Sequence, residues 1–159
     1  MRVQDVMTEQ VVSCKPDTNL AAVAALFWEN DCGAVPVIDD EGNLSGILTD
    51  RHMCIAIGTR NRRPSDLKAE DVMENTVVTC RSTDHIRAAV HLMRQAKVRQ
   101  LPVVSDHGAI EGMVSVDDIL MNVQRDYGNV DAISYAEMLH SLQSIISRVD
   151  RPESLSAAA

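Results

Sequence analysis

The chain has few aromatic residues: one Trp, one Phe and two Tyr among 159. It also lacks a basic surplus, with 15 Lys and Arg against 23 Asp and Glu and a formal net charge of −8. Nucleic-acid binding needs a basic stripe and usually stacking rings, so both shortages argue against that class, and an acidic surface disfavours anionic membranes. No apolar run approaches the ~20 residues of a membrane span, and Met1 to Gln10 is mixed polar, unlike a signal peptide. A cytoplasmic protein is expected. Cys14, Cys32, Cys54 and Cys80 form no Cys-x-x-Cys pair, which argues against a zinc site or disulfide framework and leaves them as small buried hydrophobes. No Gly-rich phosphate loop and no spacing that pairs Cys14, Cys54 or Cys80 with His52, His85 or His91 supports an enzyme.

What the chain does have is a repeat. Residues 3–54 align with 69–120 at a constant offset of 66 without a gap, giving 13 identities in 52 pairs. Shared composition alone gives roughly 6%. The matches include Asp5/Asp71, Met7/Met73, Cys14/Cys80, Pro36/Pro102, Gly42/Gly108 and Gly46/Gly112. Two copies of one small unit packed face to face are expected, with sites near the pseudo-twofold axis coming in pairs.

Periodicity assigns the same order to each copy. In the first, 11–14 reads as a strand, 20–30 as a helix, 34–38 and 44–49 as a hairpin closed by Asp39-Asp40-Glu41-Gly42-Asn43, and 50–57 as a second helix. The second copy gives a strand at 77–80, a helix at 86–96, strands at 101–104 and 110–115, and a helix at 116–124. The fold class is α/β, two β-α-β-β-α repeats plus a C-terminal helix. Boundaries fall at 1–57, 58–68 (a polar linker with Arg60, Arg62 and Arg63), 69–124 and 125–159. Residues 125–131 read as a loop and 151–159 as a frayed tail. Between them a helix starts at Ser134, in a capping box with Glu137, and ends before Pro152. Its apolar seam of Tyr135, Met138, Leu142, Ile145 and Val149 fits packing on its own module or dimerisation equally.

Each hairpin ends in Gly, two apolar residues and a hydroxyl, then a helix: Gly46-Ile47-Leu48-Thr49 and Gly112-Met113-Val114-Ser115. Ser115-Val116-Asp117-Asp118 places a hydroxyl at a helix N-cap with a carboxylate three residues on. Capping alone accounts for such a pattern. It also suits a nucleotide: helix amides attract phosphate, the hydroxyl adds a donor, and a carboxylate accepts from ribose hydroxyls.

With these motifs at matched positions, residues 3–122 resemble a tandem pair of cystathionine-β-synthase (CBS) domains, a Bateman module. Asp5-Val6-Met7-Thr8, Gly33-Ala34-Val35-Pro36-Val37-Ile38-Asp39, Gly46-Ile47-Leu48-Thr49-Asp50-Arg51 and Arg99-Gln100-Leu101-Pro102-Val103-Val104 are especially similar to small stand-alone bacterial members. The resemblance implies a regulatory sensor that is not an enzyme, pairs into a flat homodimer and needs no metal. It implies a ligand such as AMP, ADP, ATP, NAD or S-adenosylmethionine in clefts between the repeats, read by a protein effector in trans. One site would use Ser115 and Asp118 with Gln100, Leu101 and Pro102 as its wall, and the other Thr49 with Ala34, Val35 and Pro36. A structural adaptor with empty clefts is the alternative.

The repeat breaks at one position that matters. The residue matching Asp118 is His52, and a neutral imidazole offers one acceptor where a carboxylate offers several. The stronger ribose clamp is therefore expected at Asp118, unless His52 meets a phosphate. Basic partners for phosphate are Arg99 first, then Lys97, Arg51 and the linker arginines, while Phe27 and Trp28 are expected in the core or at a subunit contact.

Overall fold

A computed structural model describes residues 1–123 and 133–147. The first repeat contains α1 (Leu20–Asn30), β1 (Ala34–Ile38), β2 (Leu44–Thr49) and α2 (Asp50–Arg60). The second contains α3 (Ile86–Ala96), β3 (Gln100–Val104), β4 (Ile110–Ser115) and α4 (Val116–Val123), and α5 (Tyr135–Ile146) follows. The result is the mixed α/β architecture that the repeat predicts. Side chains set where helices begin: the Ala22 amide donates to Asn19 at 2.9 Å, and the Glu137 amide to Ser134 at 3.2 Å. α1 and α3 both end on a left-handed residue, Asp31 (φ 47°) and Lys97 (φ 57°).

Each hairpin is antiparallel, and both slip register at the same place, between Val37 and Ile38 and between Val103 and Val104. Gly42 and Gly108 close the turns at φ 86° and 88°, where a side chain would be strained. In the first turn the Asn43 amide donates to Asp39 at 2.8 Å, holding that carboxyl below its usual range. The tips meet across the pseudo-axis: the Leu44 amide donates to Gly108 O at 3.0 Å and the Ile110 amide to Gly42 O at 3.3 Å.

The repeats also exchange their leading segments. Val3 and Gln4 donate to Asp84 O and Ser82 O, and Val3 and Val6 are buried in the core of the second repeat with Ile86, Val90 and Met93. Reciprocally, Ala69 and Glu70 donate to Thr18 O and Pro16 O, and Leu67 and Ala69 are buried with Leu20, Val23 and Leu48. Asp5 and Asp71 cap the short 3-10 turns that enter these foreign cores, accepting from the Arg2 and Lys68 amides at 2.6 and 2.9 Å. Burying a Val or Leu contributes about 1.5–3 kcal/mol each, so each core depends on the other copy's segment.

Several expectations need correction. The strands at 11–14 and 77–80 reduce to single parallel bridges, Cys14 with Val37 and Cys80 with Val103. The chain is held at Thr8 by Met113 of the other repeat and at Cys14 by β1, so the residues between span the two copies and cannot run along β1. α2 extends to Arg60, and the expected polar linker includes fully buried Leu67. Cys14 and Cys80 are buried and Cys32 half-buried, but Cys54 is exposed on α2. Phe27 packs against the first core, and Trp28 is 88% exposed, outside the core and on the surface that the expected subunit contact would use. On α5, Met138 and Ile145 are buried and Leu142 packs on the second core, while Tyr135 is half exposed. The α5 seam thus packs on its own module. Val149, the loop at 125–131 and the tail at 151–159 lie outside the described residues.

Candidate functional site

Ser115 ends β4 and begins α4, so strand pairing fixes its backbone and helix capping fixes its side chain. The Asp118 amide donates to Ser115 Oγ at 3.1 Å. Asp118 Oδ2 accepts from the Ser115 amide at 2.8 Å and from its hydroxyl at 2.6 Å. Capping and site geometry are therefore one set of bonds, which orients the carboxylate and occupies Oδ2. At the matched position the His52 amide donates to Thr49 Oγ1 and the Thr49 amide donates to His52 Nδ1, both at 3.3 Å. Imidazole replaces carboxylate as the acceptor without disturbing the cap.

A cleft of about 620 Å³ opens over Ser115 and Asp118, a size suited to a small organic ligand. Arg99, Gln100, Met113, Ser115, Asp117 and Asp118 of the second repeat form one side. Thr8, Gln10, Val11 and Val12 form another, and Asn30 to Ala34 with Asp50 close the third. The structure brings Ser115, Asp117, Asp118, Arg99, Gln100 and Ala34 together around this space. It places Leu101, Pro102, Val35 and Pro36 in buried positions away from the lining, and Val116 in the second core. Leu101 and Val35 face the two cores and supply packing, while each strand's first residue, Gln100 or Ala34, reaches the cleft. Ala34 is corrected to the Ser115 side. Thr49, Arg51 and His52 are not part of this lining and occupy the pseudo-symmetric position.

Sequence reasoning did not place Thr8, Gln10 to Val12, Asn30 to Gly33 or Asp50 at the site, because the segments that hold Thr8, Gly33 and Asp50 carry the family resemblance without marking a wall residue and the others lie in no motif. The one available signal was indirect, the matched Gly46 and Gly112. A Cβ on Gly46 would stand 2.6 Å from the Met73 sulfur, and one on Gly112 2.8 Å from Thr8 O, so these glycines report the crossing of the leading segments.

The basic candidates divide. Arg99 Nη2 lies 3.7 Å from Asp117 Oδ1 at the cleft mouth. Lys97 Nζ reaches Ser144 and Ser147 near the end of α5. Arg60 donates to Asp71 O at 2.7 Å and Arg62 to Asp66 O, so both hold the linker backbone. Arg51 is exposed on α2.

The CBS domain family model matches this chain twice, over residues 3–58 and 69–125. The chain belongs to the CBS domain family. Its CBS pair is 33% identical over 125 residues to inosine-5′-monophosphate dehydrogenase of Mycobacterium leprae, covering 79% of this chain but 23% of that enzyme. The chain thus spans less than a quarter of that relative's length. The fold matches the CBS domain pair of protein MJ0100 in complex with 5′-methylthioadenosine and S-adenosyl-L-methionine, with a TM-score of 0.72 at 19% identity over 79% of this chain and 97% of that one. It also matches CBSX2 in complex with AMP, with a TM-score of 0.69 at 24% identity over 78% and 96%.

Within this CBS pair the three thiols away from the α2 surface are poorly suited to nucleophilic chemistry. Burial pushes Cys14 up to about 11 and Cys80 up to about 12, and also raises Cys32. Among the described residues no three His, Cys, Asp or Glu side chains gather as a metal site, and no helix is long and apolar enough to cross a membrane.

Proposed function

We propose that this CBS pair is a regulatory sensor, not an enzyme, that binds an adenosine-containing ligand in the Ser115–Asp118 cleft and acts on a protein effector in trans. The observation that carries the reading is the oriented carboxylate of Asp118 at the base of a cleft walled by both repeats. Asp118 Oδ1 is left to accept from a ribose, and a ligand seated there touches the leading segment of one copy and the helix start of the other. Its binding energy can then bias how the repeats pack, which is what signalling requires. The solved CBS pairs with AMP, or with 5′-methylthioadenosine and S-adenosylmethionine, support an adenosine ligand of the AMP, ADP, ATP, NAD or S-adenosylmethionine kind. Exposed Trp28 on α1, Ile55 on α2 and Met121 on α4 support pairing of two copies through helix faces.

Thermal melting against AMP, ADP, ATP, NAD and S-adenosylmethionine tests the reading. At least one should raise the melting temperature of the wild type, and less so for Asp118→Asn, with no ligand turnover. A flat response to the whole panel would leave a structural adaptor.

A further inference from the structure

We infer that the Ser115–Asp118 cleft selects an adenosyl ligand whose 5′ substituent is uncharged or positive, a thioether or a sulfonium, over one carrying phosphates. The inference rests on the adenosine reading above and narrows it.

The lining carries four carboxylates, Asp31, Asp50, Asp117 and Asp118, against one guanidinium, Arg99. That guanidinium already faces Asp117 at 3.7 Å. A sphere of about 620 Å³ is roughly 11 Å across, and Asp31 and Asp50 stand on a different side from Asp117 and Asp118, so a phosphate anywhere inside lies within about one Debye length of an acid.

Two features that would ordinarily favour phosphate are spent. The Ser115 hydroxyl donates to Asp118, so its proton is not offered to a ligand. At the start of α4 the Val116 amide donates to Arg99 O at 2.9 Å and the Asp118 amide to Ser115 Oγ, leaving the Asp117 amide as the one donor in that turn without a partner inside it. The helix terminus contributes about half a positive charge, while Asp117 and Asp118 set two full negative charges in the same turn. The acids win, and the mouth attracts cations.

The repeat supplies an internal contrast. At offset 66, Asp31, Asp50, Asp117 and Asp118 correspond to Lys97, Val116, Arg51 and His52, and Thr8 to Glu74. The pseudo-symmetric side thus carries none of the four carboxylates and has Gly33 at the position of Arg99; Arg51, His52 and Glu74 stand in their place, while Lys97 turns to Ser144 and Ser147 near the end of α5. The two sides differ in charge on similar hairpin frames, acidic on one and balanced on the other, so phosphate is disfavoured by these particular side chains and not by the fold.

Calorimetry on the full chain with S-adenosylmethionine, 5′-methylthioadenosine, AMP and ATP, each as titrant and as competitor, tests this. S-adenosylmethionine should bind this cleft at least ~10-fold more tightly than AMP, with 5′-methylthioadenosine between them and ATP weakest, and its affinity should fall as salt rises. AMP that binds without displacing S-adenosylmethionine also supports the assignment. The double variant Asp31→Asn, Asp50→Asn should weaken S-adenosylmethionine and strengthen AMP in competition, several-fold in their ratio. The melting temperature of the double variant without ligand is the control for folding. AMP displacing S-adenosylmethionine with equal or higher affinity, or a ratio unmoved in the double variant, overturns the charge selection while leaving the adenosine reading intact. If none of the four compounds binds, the adenosine reading itself fails.

Discussion

Gly112 faces Thr8 so closely that a Cβ on the glycine would stand 2.8 Å from the Thr8 carbonyl oxygen. That oxygen accepts from the Met113 amide at 2.9 Å, and the Thr8 amide donates back to Met113 O at 2.8 Å, so neither backbone can retreat without breaking the crossing. Gly112→Ala should therefore destabilise the protein by ~1–3 kcal/mol. Gly46→Ala meets first the flexible Met73 sulfur, with Glu74 O at 3.0 Å, and should cost less. Chemical denaturation of the two variants gives the order, and equal effects would contradict the geometry.

The exchanged segments make a prediction about where damage appears. Val3 is fully buried in the second core although it opens the first repeat. Val3→Ala should lower stability by ~1–2 kcal/mol and increase amide hydrogen exchange first in α3. The mirror variant Leu67→Ala should loosen α1 instead, at ~2–5 kcal/mol for the larger side chain. Exchange rising in the mutated residue's own repeat would show that the segments are not interlocked.

The paired caps predict unequal consequences for ligand binding. Asp118→Asn keeps an acceptor for the Ser115 amide but loses the charge, so affinity for the adenosine ligand should fall about tenfold. His52→Asp should restore a carboxylate beside Thr49 and add a second, weaker binding event to calorimetric titrations. A single transition in both proteins would argue that the Thr49 side lacks another determinant.

The thiols offer a readout independent of any ligand. An aromatic disulfide reagent should label exposed Cys54 rapidly, Cys32 more slowly, and Cys14 and Cys80 only on unfolding. Because Cys14 and Cys80 titrate at about 11 and about 12 when folded, against about 8.5 when unfolded, the native state holds their protons longer. Their contribution to stability is complete below the unfolded value and is lost as pH rises through the folded ones. Replacing both by Ala should flatten the alkaline loss of stability measured between pH 8.5 and 10.5.

Much of this fold was legible because the repeat constrains two copies at once. β1, β2 and β4 fall where alternation and turn residues put them, as do α1 and α3, and Ser115 with Asp118 falls at the expected helix start. What stayed hidden depended on contacts between the copies. Periodicity over four residues suggested strands at 11–14 and 77–80, but tertiary anchoring at Thr8 and Glu74 pulls those stretches across the axis. For the same reason the walls contributed by Gln10, Val12 and Asp31 could not be read, since each is locally an ordinary loop or helix-end residue. Leu101 and Val35 were expected at the wall, yet a strand between helix and hairpin points such residues into the core.

The reciprocal crossing has one more consequence. Two separate, identical chains trading the same leading segment would build this architecture as an isologous pair, but every substitution in them would strike both clefts together. Residues 61–68, which tie the two copies into one polypeptide, release that constraint. A covalent tandem can hold an aspartate at 118 and a histidine at 52, or an acid at 31 and a lysine at 97, because each copy is free to drift while its partner keeps the shared frame intact. Fusion here is what makes division of labour between the Ser115 and Thr49 caps physically available.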